Sequence, residues 1–174
     1  MLNKLIRLTG LALALGTMQF SAGAAAAKQS FATAPDGVRI AIQEYGNPQG
    51  PELVFVHGLL GSHLTWERQF TSPLLKKYRI VTYDLRGHGF SGKPVTPRFY
   101  QEGKRWGDEL RTVISAKKLK KPVVVTWSLG ALALTNYLHS YGPKRIGGIV
   151  YVDAVFELAP DLVGGFPETR TALQ

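Results

Sequence analysis

The chain has 174 residues, usually the size of one domain, and it contains no cysteine, so disulfide bonds and an anchor on a lipidated cysteine are excluded. Its hydrophobic fraction of 45% is ordinary for a globular protein that buries a core. The net charge of +9 comes largely from lysine-rich clusters at 76–79 and 117–121, which follow predicted helices and therefore indicate solvated helix ends rather than a nucleic-acid partner.

The first 27 residues have the pattern of a secretory signal peptide. Lys4 and Arg7 form a basic start, an apolar run follows at 8–20, and 21–27 is rich in small residues with Ala-x-Ala options for cleavage. This run is shorter than the roughly 20 apolar residues that span a membrane. We therefore expect export, to the periplasm or the medium, with no stable membrane anchor after cleavage; the alternative is an uncleaved anchor.

Strands and helices alternate after the predicted leader. A hairpin is predicted at 30–34 and 38–45, joined by a Pro-Asp-Gly turn. Apolar strands are then predicted at 52–57, 79–83, 123–126 and 147–152, separated by helices over about 62–75, 100–117 and 129–141. This order predicts an α/β fold: a mostly parallel sheet with an antiparallel N-terminal hairpin and helices on both faces. We expect this domain to cover residues 28–158, and residues 159–174 to begin a cap or insertion.

Polar side chains stand where four of the predicted strands end: His57, Asp84, Ser128 and Asp153. In open α/β sheets, ligands bind outside the carboxyl ends of the strands. The sequence therefore predicts a site at this edge, independently of any motif.

Ser128 lies in the segment Thr126-Trp127-Ser128-Leu129-Gly130, between a predicted strand and a predicted helix. The segment is close to G-x-S-x-G, the turn that lifts a nucleophilic serine into a cleft. Small residues are needed two positions before and after the serine; Gly130 fits, whereas the β-branched Thr126 does not. A serine that only caps the helix is the alternative.

A nucleophilic serine also needs hydrogen-bond donors for the oxyanion. The amide of Leu129 follows the serine at the start of a helix, and the amide of Leu59 lies in the turn after His57-Gly58. We predict that these two amides form the oxyanion site, lined also by His57, Gly58 and Trp127. The alternative for His57-Gly58 is a plain turn that ends a strand.

Three segments together resemble the N-terminal part of an α/β-hydrolase-fold protein, in the esterase and cofactor-free haloperoxidase-like branch: residues 57–62, 84–91 and 127–130. Their order and spacing match that family over roughly residues 30–158. The resemblance implies a serine hydrolase acting on a small acyl or ester substrate through an acyl-enzyme, without a cofactor. It also implies that 84–91 is a structural turn, with His88 structural rather than a base.

The family's triad runs serine, acid, histidine. Asp153 holds a position that some members use for the acid; the alternative is a polar residue that ends a strand. The histidine belongs after the last strand, beyond Gln174, and His139 lies roughly 16 Å along the helix from Ser128, too far to act as the base. We therefore expect a truncated chain, with C-terminal strands missing, that is weak or inactive alone.

Two other functions stay open at this point. One is a non-catalytic binding protein with the same fold, and the other is cofactor-free perhydrolysis, which uses the same triad. No metal site is expected, because four histidines and no cysteine give no ligand spacing. No oligomeric state is predicted.

Overall fold

The computed structural model describes residues 27–156, which form a six-stranded sheet with helices on both faces. The strands are β1 (Lys28–Thr33), β2 (Arg39–Gly46), β3 (Glu52–Val56), β4 (Arg79–Tyr83), β5 (Val123–Ser128) and β6 (Gly148–Ala154). The α-helices are α1 (Glu67–Phe70), α2 (Gly103–Ala116) and α3 (Gly130–Tyr141), and 3-10 turns cover His63–Trp66, Pro73–Lys76 and Pro97–Phe99.

The strands lie in the order β1-β2-β4-β3-β5-β6. Strand β2 pairs antiparallel with both β1 and β4, and the remaining pairs are parallel. This arrangement confirms the predicted fold class. The carboxyl ends of β3, β4 and β5 therefore lie side by side, and the segments that follow them meet at one edge of the sheet.

Successive residues of the central strands face opposite sides of the sheet. In β3, Val54 and Val56 join the larger core beneath α2 and α3, whereas Phe55 joins a smaller core with Trp66 and Phe70 of the short helices. Both faces are thus covered, which is why β3 is nearly all apolar in sequence.

The single helix predicted over 62–75 is wrong: three short helical segments replace it. The hydroxyls of Ser62 and Ser72 accept hydrogen bonds from the amides of Leu64 and Leu74, so each serine starts a new turn. Pro73 follows the second serine at the first position of its segment. Similarly, the helix predicted from residue 100 begins at Gly103.

The predicted signal peptide at 1–27, apart from Ala27, and the predicted cap or insertion at 159–174 lie outside the described residues. Within residues 27–156, no helix combines the length and the apolar composition needed to cross a membrane.

Helices α2 and α3 pack closely because Gly107 has no side chain. A β-carbon at Gly107 would lie 2.7 Å from the backbone of Asn136 and from the amide of Tyr137. A β-carbon at Gly103, one turn earlier, would meet the side chain of Asn136, which can rotate.

We expect Gly107→Ala to lower the free energy of unfolding by about 2 kcal/mol, because the backbones of α2 and α3 must separate, even though alanine is the better helix former. Chemical denaturation measures this loss. The matched variant Gly103→Ala should change stability by less than about 0.5 kcal/mol. Equal effects of the two substitutions would contradict this account of the packing.

Candidate active site

Ser128 is the last residue of β5 and sits in a sharp turn before α3. Its φ angle is 49°, in the left-handed region that residues other than glycine rarely adopt. Backbone strain of this kind concentrates at functional sites. The chain returns to right-handed geometry at Leu129, and α3 begins at Gly130. The predicted strand-turn-helix geometry around Ser128 is therefore present.

Gly130 allows the first turn of α3 to pack directly against the backbone at the end of β3. A β-carbon at this position would lie 2.7 Å from the carbonyl oxygens of Val56 and His57. Any side chain would push the helix away from the sheet, so the requirement for glycine two residues after Ser128 has a direct steric cause.

Thr126 fits beneath the turn with one defect. Its side chain is fully buried, and its hydroxyl has no hydrogen-bond partner among the described residues. The turn thus forms with threonine at a position where the sequence pattern favours glycine. The Thr126 hydroxyl is a buried polar group without a hydrogen-bond partner, and such a group lowers the stability of the fold.

The segment after β3 lies against Ser128. A β-carbon on Gly58 would come within 3.0 Å of the Ser128 Cβ and of the ring of Trp127. Glycine is needed for this close approach. The structure thus brings together Gly58, Trp127 and Ser128.

His57 is fully buried behind that segment, so its ring does not line the surface beside Ser128. Its Nδ1–H donates to the carbonyl of Gly58 at 2.7 Å, and its Nε2 accepts from the amide of Leu85 at 3.0 Å. These two bonds require the neutral ring. Burial lowers the pKa of His57 from its ordinary value of 6.5 to about 4.

Asp84, at the end of β4, is a fully buried carboxylate that joins two loops. It accepts hydrogen bonds from the amide of His63 at 2.6 Å, from the His63 ring at 2.9 Å and from the amide of Phe90 at 2.8 Å. Burial alone would raise the pKa of Asp84, but these donors hold it below the ordinary value.

Sequence reasoning placed Asp84 at the site's edge without a partner and missed the role of His63. The available signal was Gly89: a β-carbon there would lie 2.2 Å from the Asp84 carboxyl group. A glycine five residues after a buried acid, in a loop with several polar residues, indicates a turn wrapped around that acid.

Asp153 lies at the same edge, at the end of β6 beside β5. It has a φ of 43° and falls in an irregularity of the strand pairing, where Trp127 pairs with Val152 and Ser128 with Ala154. The side chain is exposed, and among the described residues it makes no hydrogen bond. The structure places the predicted acid near Ser128 without linking it to a histidine.

No histidine within residues 27–156 is hydrogen-bonded to Ser128. The rings of His57, His63 and His88 are all engaged with other groups. His139 lies in the last turn of α3, far along the helix that starts after Ser128. The described part of the chain therefore holds a serine and candidate oxyanion donors without a general base.

Comparisons with known proteins agree with this geometry. The sequence model of the family described as alpha/beta hydrolase fold matches residues 51–172. A solved structure of a protein assigned as an aryl esterase, from Burkholderia cenocepacia, is 52% identical with a TM-score of 0.75, over 77% of this chain and 49% of that chain.

Two curated relatives are also similar. A protein assigned as the oxidoreductase EphD, from Mycobacterium tuberculosis, is 39% identical over 62% of this chain and 18% of its own length. A protein assigned as a non-heme chloroperoxidase, from Synechocystis, is 33% identical over 56% of this chain and 34% of its own length. The chain thus spans half or less of the length of each of these three proteins. The predicted resemblance to esterases and haloperoxidases is confirmed.

We expect Thr126→Val to raise the free energy of unfolding by about 1 kcal/mol, because it removes a buried hydroxyl without a partner and keeps the side-chain shape. Thr82→Val is the matched control: that threonine is equally buried, and its hydroxyl donates to Gln43 at 3.0 Å. Urea denaturation should show the control destabilised by about 1 kcal/mol. Loss of stability in both variants would mean that the Thr126 hydroxyl is bonded.

His57 should make the fold sensitive to acid. Its folded pKa of about 4 lies below its ordinary 6.5, so between these values the unfolded chain binds the extra proton. The contribution of His57 to the free energy of unfolding is fully present above pH 6.5. It falls by about 3 kcal/mol as the pH is lowered to about 4.

Denaturation of wild type and His57→Asn as a function of pH measures this contribution as a difference. The difference is needed because Asp84, whose donors hold its pKa below the ordinary value, also contributes stability that is lost in acid. The wild type should lose more stability on acidification than the variant. Parallel pH profiles for the two proteins would refute the role assigned to His57.

Proposed function

Because the chain belongs to the alpha/beta hydrolase fold family, we propose that it is an exported serine hydrolase that cleaves an ester or related acyl bond of a small molecule through an acyl-enzyme on Ser128. The observation that carries this proposal is the left-handed turn at Ser128, with φ at 49°, beside the close approach of Gly58. Together they support a nucleophilic role for Ser128 beside the segment that carries the Leu59 amide.

In the proposed reaction, the Oγ of Ser128 attacks the carbonyl carbon of the ester while its proton passes to a base. The carbonyl electron pair moves to oxygen, where the amides of Leu59 and Leu129 donate hydrogen bonds. Collapse expels the alcohol, which takes the proton from the base and leaves an acyl ester on Ser128. Water then attacks with the same base, releasing the acid and restoring the serine.

The proposed activity of the whole protein requires a general base. Within residues 27–156, the histidines are engaged elsewhere or remote from Ser128, so the proposal requires a further histidine and assigns Asp153 as the acid that would orient it. Without that base, Ser128 is a weak nucleophile. We accordingly propose that the chain of 174 residues has low activity by itself.

Export is proposed from the sequence pattern of residues 1–27: a basic start, an apolar run and small residues before the folded domain. The domain begins with β1 at Lys28, directly after this stretch. Cleavage there would release the folded domain without removing any residue of the sheet.

Perhydrolysis is a second candidate, supported by the relative assigned as a non-heme chloroperoxidase. In that reaction hydrogen peroxide takes the place of water in attacking the acyl-enzyme and releases a peracid. The first half of the mechanism, including Ser128, is the same.

A fluorophosphonate probe tests whether Ser128 is a nucleophile. We expect the chain to be labelled slowly at Ser128, and faster when imidazole is added as an external base, because the described residues supply none. Ser128→Ala should abolish labelling, whereas Ser115→Ala, which changes an exposed serine on α2, should leave it unchanged. Mass spectrometry of the adduct identifies the modified residue.

Absence of labelling even with imidazole would favour the non-catalytic binding protein over the hydrolase. Labelling that persists in Ser128→Ala would assign the reactivity to another residue. Either outcome would overturn the proposed function.

A further inference from the structure

The turn after β3 contains three successive amides, at Leu59, Leu60 and Gly61, of which two are already engaged. The Gly61 amide donates to the carbonyl of Gly58 at 3.2 Å, and the Leu60 amide donates to Nε2 of His88 at 3.2 Å. Among the hydrogen bonds of the described residues, none uses the Leu59 amide. Of the three amides in this turn, the Leu59 amide is therefore the one that can donate to a bound group.

The peptide plane between Gly58 and Leu59 is oriented by its carbonyl. That oxygen accepts from the His57 ring at 2.7 Å as well as from Gly61. In a trans peptide the N–H points opposite to the C=O. Holding the Gly58 carbonyl towards the buried His57 therefore turns the Leu59 amide to the other side of the peptide plane.

The next peptide plane, between Leu59 and Leu60, is oriented by its N–H, which His88 holds. Leu60 has a φ of 58° and a side chain that is 84% exposed, so packing gives this strained residue little support. The bond to His88 is the one side-chain hydrogen bond to its backbone within the described residues.

His88 is itself firmly anchored. Its Nδ1–H donates to the carbonyl of Arg86 at 2.8 Å, which leaves Nε2 free to accept. Arg86 is fully buried, forms an ion pair with the equally buried Glu109 of α2, and bonds to Asp36 at 2.6 Å. A continuous chain of contacts therefore runs from α2, through Arg86 and His88, to Leu60.

We propose that His88 is a positioning residue: by holding the Leu60 amide, it fixes the turn so that the Leu59 amide is the donor offered to the oxyanion. The inference rests on the proposed function, since it assigns a role within the same site. It goes beyond the structural turn that the family resemblance implies, because the predicted effect is on the oxyanion and not only on folding.

The test compares His88→Phe, which keeps a ring of similar size but no acceptor, with His88→Gln, whose amide can replace the acceptor. Amide hydrogen exchange followed by NMR measures the protection of the loop amides and does not require any reaction at Ser128. We expect Leu60 exchange about tenfold faster in His88→Phe, close to wild type in His88→Gln, and unchanged at β3 amides in both. Acceleration at β3 as well would indicate global destabilisation and overturn the proposal.

The second measurement is the rate of Ser128 modification by the fluorophosphonate in the presence of imidazole. His88→Phe should slow it by about tenfold to a hundredfold, because the oxyanion donor is misplaced, and His88→Gln should restore it. The control His139→Phe makes the same exchange at an exposed position near the end of α3 and should react like wild type.

The outcomes separate the two proposals. A wild-type rate in His88→Phe would overturn the role of His88 while Ser128 kept its role. No reaction in any variant, wild type included, would overturn the hydrolase function; the Leu60 exchange rates would then decide alone whether His88 holds the turn.

Discussion

The imidazole of His57 joins the ends of two neighbouring parallel strands, and the site is arranged around it. One ring nitrogen donates to the backbone just after β3, and the other accepts from the backbone just after β4. Without the ring, the buried Leu85 amide would carry the cost of an unpaired polar group, and the Gly58 carbonyl would keep only its bond from the Gly61 amide. The ring must be neutral to make both bonds, so the geometry of the site depends on one protonation state.

Around His57, the loops are held by buried charge rather than by helices or strands. Asp84 accepts hydrogen bonds from the amides of two loops. Arg86, in the second of these loops, forms an ion pair with Glu109 on α2. Buried ion pairs contribute little net stability when compared with apolar packing, but removing one partner is costly. We interpret these groups as fixing the shape of the loops at the edge of the sheet, where a misplacement of about 1 Å would already reduce catalysis.

Much of this was predictable from the sequence. Apolar strands alternating with helices predicted the sheet, and polar residues at strand ends predicted which edge carries the site. Ser128 and Gly130 predicted the turn because they lie between a predicted strand and a predicted helix, in a segment close to G-x-S-x-G. The prediction of a single helix over 62–75 was wrong because the hydroxyls of Ser62 and Ser72 accept from nearby amides, a local competition that an apolar pattern does not reveal. The contacts of His57 and His88 also could not be predicted, since they join residues 28 positions apart.

We propose that Ser128 faces an oxyanion site made by the amides of Leu59 and Leu129. The most direct measurement is a crystal structure of the chain with Ser128 phosphonylated in the presence of imidazole. We predict the phosphonyl oxygen at about 2.7–3.1 Å from both amide nitrogens, with the Leu60 amide still bonded to His88. A phosphonyl oxygen that faces solvent, or that bonds to the Leu60 amide instead, would contradict it.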